Sequence, residues 1–145
     1  MKKFFVALAF SSIASIAGAQ QSLEAVRNQV HDANHNIKGY INRDGSVQDQ
    51  SKRTLCSFQQ NGTIVDAKAN PIGYIINETE LQDKNHKTVA YITREGNIEN
   101  EKHERIGHID NSGSGPVTDH RNTTIGYITK IEPMWAAAYF FLLKY

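Results

Sequence analysis

Little in this chain points to chemistry. Its 145 residues include a single cysteine, Cys56, so no internal disulfide can staple it. No paired-cysteine metal site, phosphate-cradling glycine loop, nucleophile elbow or triad spacing is present. The serines have no base at a diagnostic distance, so no enzymatic activity and no cofactor are expected. Charge of one sign is missing too: 16 Lys and Arg face 15 Asp and Glu, scattered singly through polar stretches. A nucleic-acid binder needs a basic patch or stripe, which excludes nucleic acid as a partner. Long apolar runs are also absent. A bilayer takes about 20 residues of apolar helix, so no transmembrane span is expected in the mature chain.

The apolar residues that do exist are unevenly spread. Residues 1–19 hold 13 and residues 133–145 hold 11, while the 113 between them hold 33, about 29%. The first cluster reads as an address. Met1-Lys2-Lys3 is a short positive start, residues 4–16 are apolar with small serines, and Ala17-Gly18-Ala19 offers the small residues a signal peptidase reads. A signal peptide cleaved after Ala19 is expected, with no lipid anchor because no cysteine lies near the cut. Such a leader looks bacterial, and the mature chain is expected to be periplasmic or secreted. Residues 20–29 lead into the next segment.

Residues 30–132 carry a 17-residue repeat. Val30-His31-Asp32 recurs as Val47-Gln48-Asp49, Ile64-Val65-Asp66, Leu81-Gln82-Asp83, Ile98-Glu99-Asn100 and Val117-Thr118-Asp119, the last interval being 19. A second element keeps step: Lys38-Gly39-Tyr40-Ile41, Leu55-Cys56-Ser57-Phe58, Ile72-Gly73-Tyr74-Ile75, Val89-Ala90-Tyr91-Ile92, Ile106-Gly107-His108-Ile109 and Ile125-Gly126-Tyr127-Ile128. Between them fall turns such as Asp44-Gly45, Asn61-Gly62 and Glu95-Gly96, which suit a β-hairpin. Helix is a poor rival, since glycine recurs in every unit and β-branched residues dominate its apolar positions.

The fold class expected is therefore all-β: about six antiparallel hairpins in a ring or a short solenoid. In a ring, strand 125–128 pairs with strand 30–32, and one hairpin is split between the chain ends. A two-residue turn at Asp44-Gly45 sets Tyr40 opposite Asp49 and Asn42 opposite Val47. Ile72, Tyr74 and Leu81 then share one face, and Gly73 and Ile75 share the other. Gly39, Cys56, Gly73, Ala90, Gly107 and Gly126 mark a position where something packs closely. On that reading Cys56 is a buried, inert stand-in for a small residue.

Residues 133–145 begin with Pro133, tolerated in a first helical turn, and continue Met134-Trp135-Ala136-Ala137-Ala138 into aromatics. A helix apolar all round is a buried one. It is expected in or against the centre of the ring, supplying the core that the repeats lack. Its rival roles are an oligomer contact and a membrane dip.

The Ile-Gly-Tyr-Ile, Asp-Gly and Val-x-Asp repeats, with the Ala-Ala-Ala-aromatic tail, resemble the β-flower proteins, small exported bacterial proteins of uncharacterised role. The resemblance covers about residues 30–143. It implies petal-like hairpins around an axis and no established activity. Glu78-Thr79 lacks the turn glycine and Cys56-Ser57 lacks Gly-Tyr, so less regular petals are expected at those two places.

Three sets of side chains are candidates for a site. His35, His86 and His103 recur three residues after the strand-ending acid, so they share one rim, where imidazoles beside Asp32 and Asp83 suggest a transition metal. The same place holds Lys52, Ala69 and Asn122 elsewhere, so solvent-facing loop residues are the plainer reading and no metal is expected. Asp32, Asp49, Asp66, Asp83 and Asp119, with Asn100, suggest cation binding or a glycosidase pair. Bonds to the N–H groups of their own turns explain them as well. Tyr40, Tyr74, Tyr91 and Tyr127 are candidate stacking platforms for a ligand, although a face shared with Ile and Val makes them core. The functional expectation is a non-enzymatic envelope module with a glycan, cell-wall or protein ligand. A self-assembling or membrane-contacting protein using the tail is the alternative, and a metal-dependent enzyme using rim His and Asp is a third reading.

Overall fold

The computed structural model describes residues 28–145. The expected leader and most of the 20–29 segment lie outside them. Twelve antiparallel strands follow one another around a closed barrel: β1 (Gln29–Asp32), β2 (Ile37–Ile41), β3 (Ser46–Asp49), β4 (Thr54–Phe58), β5 (Thr63–Asp66), β6 (Pro71–Ile76), β7 (Glu80–Asp83), β8 (Thr88–Ile92), β9 (Asn97–Glu99), β10 (Arg105–Ile109), β11 (Gly115–Asp119) and β12 (Thr124–Thr129). Closure comes from β1 on β12, with Val30 opposite Ile128 and Asp32 opposite Gly126. The solenoid alternative is thereby excluded. Five hairpins are continuous at one rim and the sixth is assembled from both chain ends. No strand is left with an unpaired edge.

The pairing differs from the expected one by a single residue. Gly39 lies opposite Asp49, Tyr40 opposite Gln48 and Ile41 opposite Val47. The cause is the turn. Gly45 N–H donates to Asn42 O at 3.0 Å and Asn42 N–H to Ser46 O at 2.9 Å, so the loop is Arg43-Asp44-Gly45. That is a three-residue loop whose last member, Gly45, takes φ +89°. A one-residue slip exchanges the faces. Gly39, Ile41 and Val47 are buried, whereas Tyr40 and Gln48 are half-buried on the outer face. The tyrosines are therefore outside the barrel core, contrary to the face assigned from sequence.

At the opposite rim each hairpin carries a bulge at the residue before the small position. Leu55, for example, has no partner between the Val47–Cys56 and Gln48–Thr54 pairs. Lys38, Ile72, Val89, Ile106 and Ile125 occupy the same place. A bulge sets two successive residues against one, sharpening local twist. Ile72, Ile106 and Ile125 pack against the core beside buried Gly73, Gly107 and Gly126. The petal at Cys56-Ser57 keeps the common register, with Cys56 opposite Asp66, so no irregularity occurs there. At Glu78-Thr79 the turn does change. Asn77 and Glu78 are both left-handed (φ 50° and 58°), and Thr79 N–H bonds Ile76 O at 3.1 Å.

The tail fills the barrel. A short helix, α1 (Pro133–Ala137), runs into a π-helical turn over Ala138–Leu143, ended by the left-handed Lys144. Ala136, Ala137, Ala138 and Tyr139 are buried. Successive side chains meet the bare backbone of different petals. A Cβ on Gly126 would lie 2.7 Å from the Phe140 ring, and one on Gly73 would lie 2.8 Å from Leu142. Phe141 faces Gly107, and the Tyr139 hydroxyl faces Gly39. From β2 through β12 and β10 to β6, residues 139–142 cross four of six petals in three steps. That is about 80° per residue, where an α-helix advances about 100°, so the wider π turn matches the ring. None of the described helices is long and apolar enough to cross a membrane.

Candidate functional site at the glycine rim

The two rims differ in what their turns present. At the carboxylate rim, the turns between β1 and β2, β3 and β4, and so on repeat one design. Asp32 Oδ1 accepts from Asn34 N–H at 2.8 Å and Asn36 N–H at 2.9 Å. Asp49, Asp66, Asp83 and Asp119 do the same, and Asn100 uses its amide oxygen identically. The amides of Asn36, Arg53 and Asn70 are the main reason Asp32, Asp49 and Asp66 titrate below the usual carboxylate range. At Asp119 desolvation opposes this, yet the Arg121 and Thr123 amides still leave it lowered. These oxygens are engaged in turn formation.

The three candidate histidines sit in three separate turns of this rim, each left-handed at φ 60–65°. Each lies on a different tyrosine of the outer wall. His35 stacks on Tyr127 with centroids 4.0 Å apart, His86 on Tyr74 at 4.1 Å and His103 on Tyr91 at 4.9 Å. Lys52 replaces the imidazole over Tyr40, its Nζ 4.0 Å from the ring centroid. Where the wall residue is Ser57, the turn residue is Ala69. Among the described residues no group of three His, Cys, Asp or Glu converges as metal ligands. The structure thus brings three of the four candidate tyrosines together with the three candidate histidines, pair by pair, and gathers neither set into one site. One face of each of these tyrosines is covered by the chain's own turn residue.

The glycine rim is concave. Glu132, Pro133, Met134 and Trp135, where the chain turns inward, stand at its centre. Three grooves radiate from this hub, and Glu132 borders all of them. The first has a volume of about 330 Å³ and is walled by Gln59, Gln60, Asn77, Glu78, Glu132 and Trp135 among others. The second runs past Thr93 and Arg94, and the third past Arg43 and Lys130. Trp135 is held in place by Phe58, their rings 12° from parallel with centroids 5.3 Å apart. Phe58 is only 3% exposed, whereas Trp135 is half-buried and shared by the first and third grooves. Sequence reasoning assigned Trp135 wholly to the buried tail. The signal available was position: the sole tryptophan precedes the three buried alanines, at the mouth of the barrel.

Cys56 lies at the far end of the plug, fully buried. Burial pushes its thiol up to about 11, with the Tyr145 hydroxyl partly offsetting this. Burial likewise raises Tyr139 to about 12, helped by its neighbour Cys56. A thiol so protonated is no nucleophile at neutral pH. Lys38, at the bulge position beside them, donates from Nζ to the Tyr145 carbonyl oxygen.

Twelve strands closing around one helix narrow the comparison with known proteins. No curated protein and no solved structure matches the chain. A family model described as "5-fold beta-flower protein" matches residues 18–144. That span takes in every described strand and nearly all of the tail. The ring here has six petals, five of them continuous hairpins at the glycine rim and the sixth joined from β1 and β12. The protein belongs to the β-flower family.

Proposed function

We propose that the protein is an exported, non-enzymatic binding module of the bacterial envelope, and that its glycine rim is the ligand face. The observation that carries this is the convergence of three grooves on the Glu132–Trp135 hub. A concavity with a few convergent polar groups on a rigid scaffold is the usual form of a binding site. The outer wall offers less, because one face of each tyrosine is already covered by the protein's own side chains. Export rests on Lys2-Lys3, the apolar residues 4–16 and Ala17-Gly18-Ala19. The test is co-sedimentation of the mature chain with purified cell-wall sacculi and envelope fragments. Retention at physiological salt is expected; a chain that stays wholly in the supernatant would overturn the reading.

A second reading, self-assembly through the tail, has its own observation. Phe140, Phe141, Leu142 and Leu143 are half-buried, and Tyr145 is 39% exposed. Native mass spectrometry decides it. A monomer at micromolar concentration removes this reading, and a dimer lost on Leu143→Asp supports it.

A further inference from the structure

Resting on the glycine rim as the ligand face, we propose that the groove beside Trp135 binds a saccharide carrying no negative charge. A sugar ring presents a face of C–H groups and an edge of hydroxyls, each hydroxyl both donor and acceptor. The groove offers the complement of both. Trp135 supplies the aromatic surface, and Phe58 beneath it fixes the indole before any ligand arrives, so little side-chain freedom is lost on binding. Gln59, Gln60 and Asn77 supply amides, which also donate and accept. Among the described residues none of these three side chains bonds another protein group, so their hydrogen-bonding capacity faces the groove unspent. The volume of about 330 Å³ lies at the lower end of small-molecule sites.

Charge narrows the class. The two ionisable side chains walling this groove are Glu78 and Glu132. Two carboxylates repel uronates and phosphorylated sugars and accept hydroxyls or an amine. The other cavities described differ: the groove past Arg43 and Lys130 shares Trp135, but it carries those two cations, and its Asn42 amide is spent on Ser46 and Gln48. The concavity at the carboxylate rim, between Asp83 and Glu104, has no aromatic residue. The groove bordered by Arg94 has none either. The wall tyrosines, sequence-level candidates for stacking, are capped by His35, Lys52, His86 and His103. Trp135 is the aromatic that combines a fixed ring with free amides.

The chain has one tryptophan, so its emission reports binding at that ring, and variants at Gln60 and Asn77, which line the first groove and not the third, assign the binding to this groove. Titration of the mature protein with chito-oligosaccharides, their deacetylated forms, cello-oligosaccharides and oligogalacturonates is the experiment. A saturable emission change is expected with at least one neutral or amine-bearing series and none with oligogalacturonates. Gln60→Ala and Asn77→Ala, at turn residues outside the core, should each weaken that binding about 3- to 10-fold. Trp135→Ala, checked for retained circular dichroism, should abolish the heat of binding. The proposal is overturned if no saccharide binds, if the acidic series binds best, or if Gln60→Ala and Asn77→Ala bind as the wild type does. Failure with every saccharide while sacculi still retain the chain, and lose it on Gln60→Ala, sinks the saccharide alone. Failure of both sinks the ligand face with it.

Discussion

At the carboxylate rim the left-handed turn position holds His35, Lys52, Ala69, His86, His103 or Asn122, whereas four of the five continuous turns at the glycine rim use Gly45, Gly62, Gly96 and Gly113. The loops have the same geometry, so left-handedness alone does not explain the difference. Proximity does. At the glycine rim the turn carbonyl accepts from the next petal, as Gly45 O does from Phe58 N–H at 2.8 Å and Gly96 O from Ile109 N–H at 2.9 Å. That bond brings two backbones together, and a Cβ at Gly45 or Gly96 would run into the Phe58 or Ile109 carbonyl oxygen. The petals without glycine fit the same account. Thr79 accepts from Ile92 N–H at 2.9 Å, but its left-handed pair has moved back to Asn77 and Glu78. Asn28, at φ 64°, serves the petal split between the chain ends. At the carboxylate rim, by contrast, side chains are free to vary because they lie outward, against the wall tyrosines.

Four sets of substitutions test this contrast. Both rims depend on one plug, so Tyr139→Ala, which empties a site 1% exposed, should cost about 4 kcal/mol in urea unfolding. Hydrogen exchange should then quicken at both rims; an effect confined to one would separate them. Gly96→Ala adds a Cβ against backbone at φ +87° and should cost about 3 kcal/mol, while Lys52→Gly should stay within about 1 kcal/mol of wild type. Equal costs would break the comparison.

Asp49→Ala removes the acceptor of two turn amides and should lower the melting temperature by a few degrees at most. Its sign with pH follows from the lowered titration of Asp49 in the folded chain. The stabilisation is fully present above the unfolded value near 3.8 and is lost as pH falls through the lower folded value. The difference between Asp49→Ala and wild type should therefore close below about pH 4. Asp49→Asn should behave like the natural Asn100 turn and be insensitive to that range. The smallest effect belongs to the wall. A double-mutant cycle of Tyr74→Ala and His86→Ala should show a coupling of about 0.5–1 kcal/mol, and zero coupling would make the stack incidental.

Much of this architecture is legible before folding. The interval from Val30 to Val117 counts the petals, and the surplus of apolar residues in 133–145 over the middle calls for a plug. The small residues at 39, 56, 73, 90, 107 and 126 announce a close approach without saying by what. The strand-ending acids were correctly readable as turn formers, because Asn100 would serve that role equally and a charged site poorly. The hub was not legible. Trp135 reads as one more apolar residue until Glu132 and Pro133 turn the chain inward and leave it at the mouth of the barrel.

Sequence by itself determined the repeat and the hairpins and pointed to an apolar helix for the core, since periodicity and apolar content are local properties; ring and solenoid stayed open until β1 paired with β12. It did not determine the pairing register. Asp44-Gly45 satisfies a two-residue turn and equally the last two places of a three-residue loop, and strand alternation turns that one-residue ambiguity into opposite faces. Tertiary packing decided it. Only with Gly73, Gly107 and Gly126 turned inward is there room for Leu142, Phe141 and Phe140, and that choice sends the tyrosines out to meet the histidines.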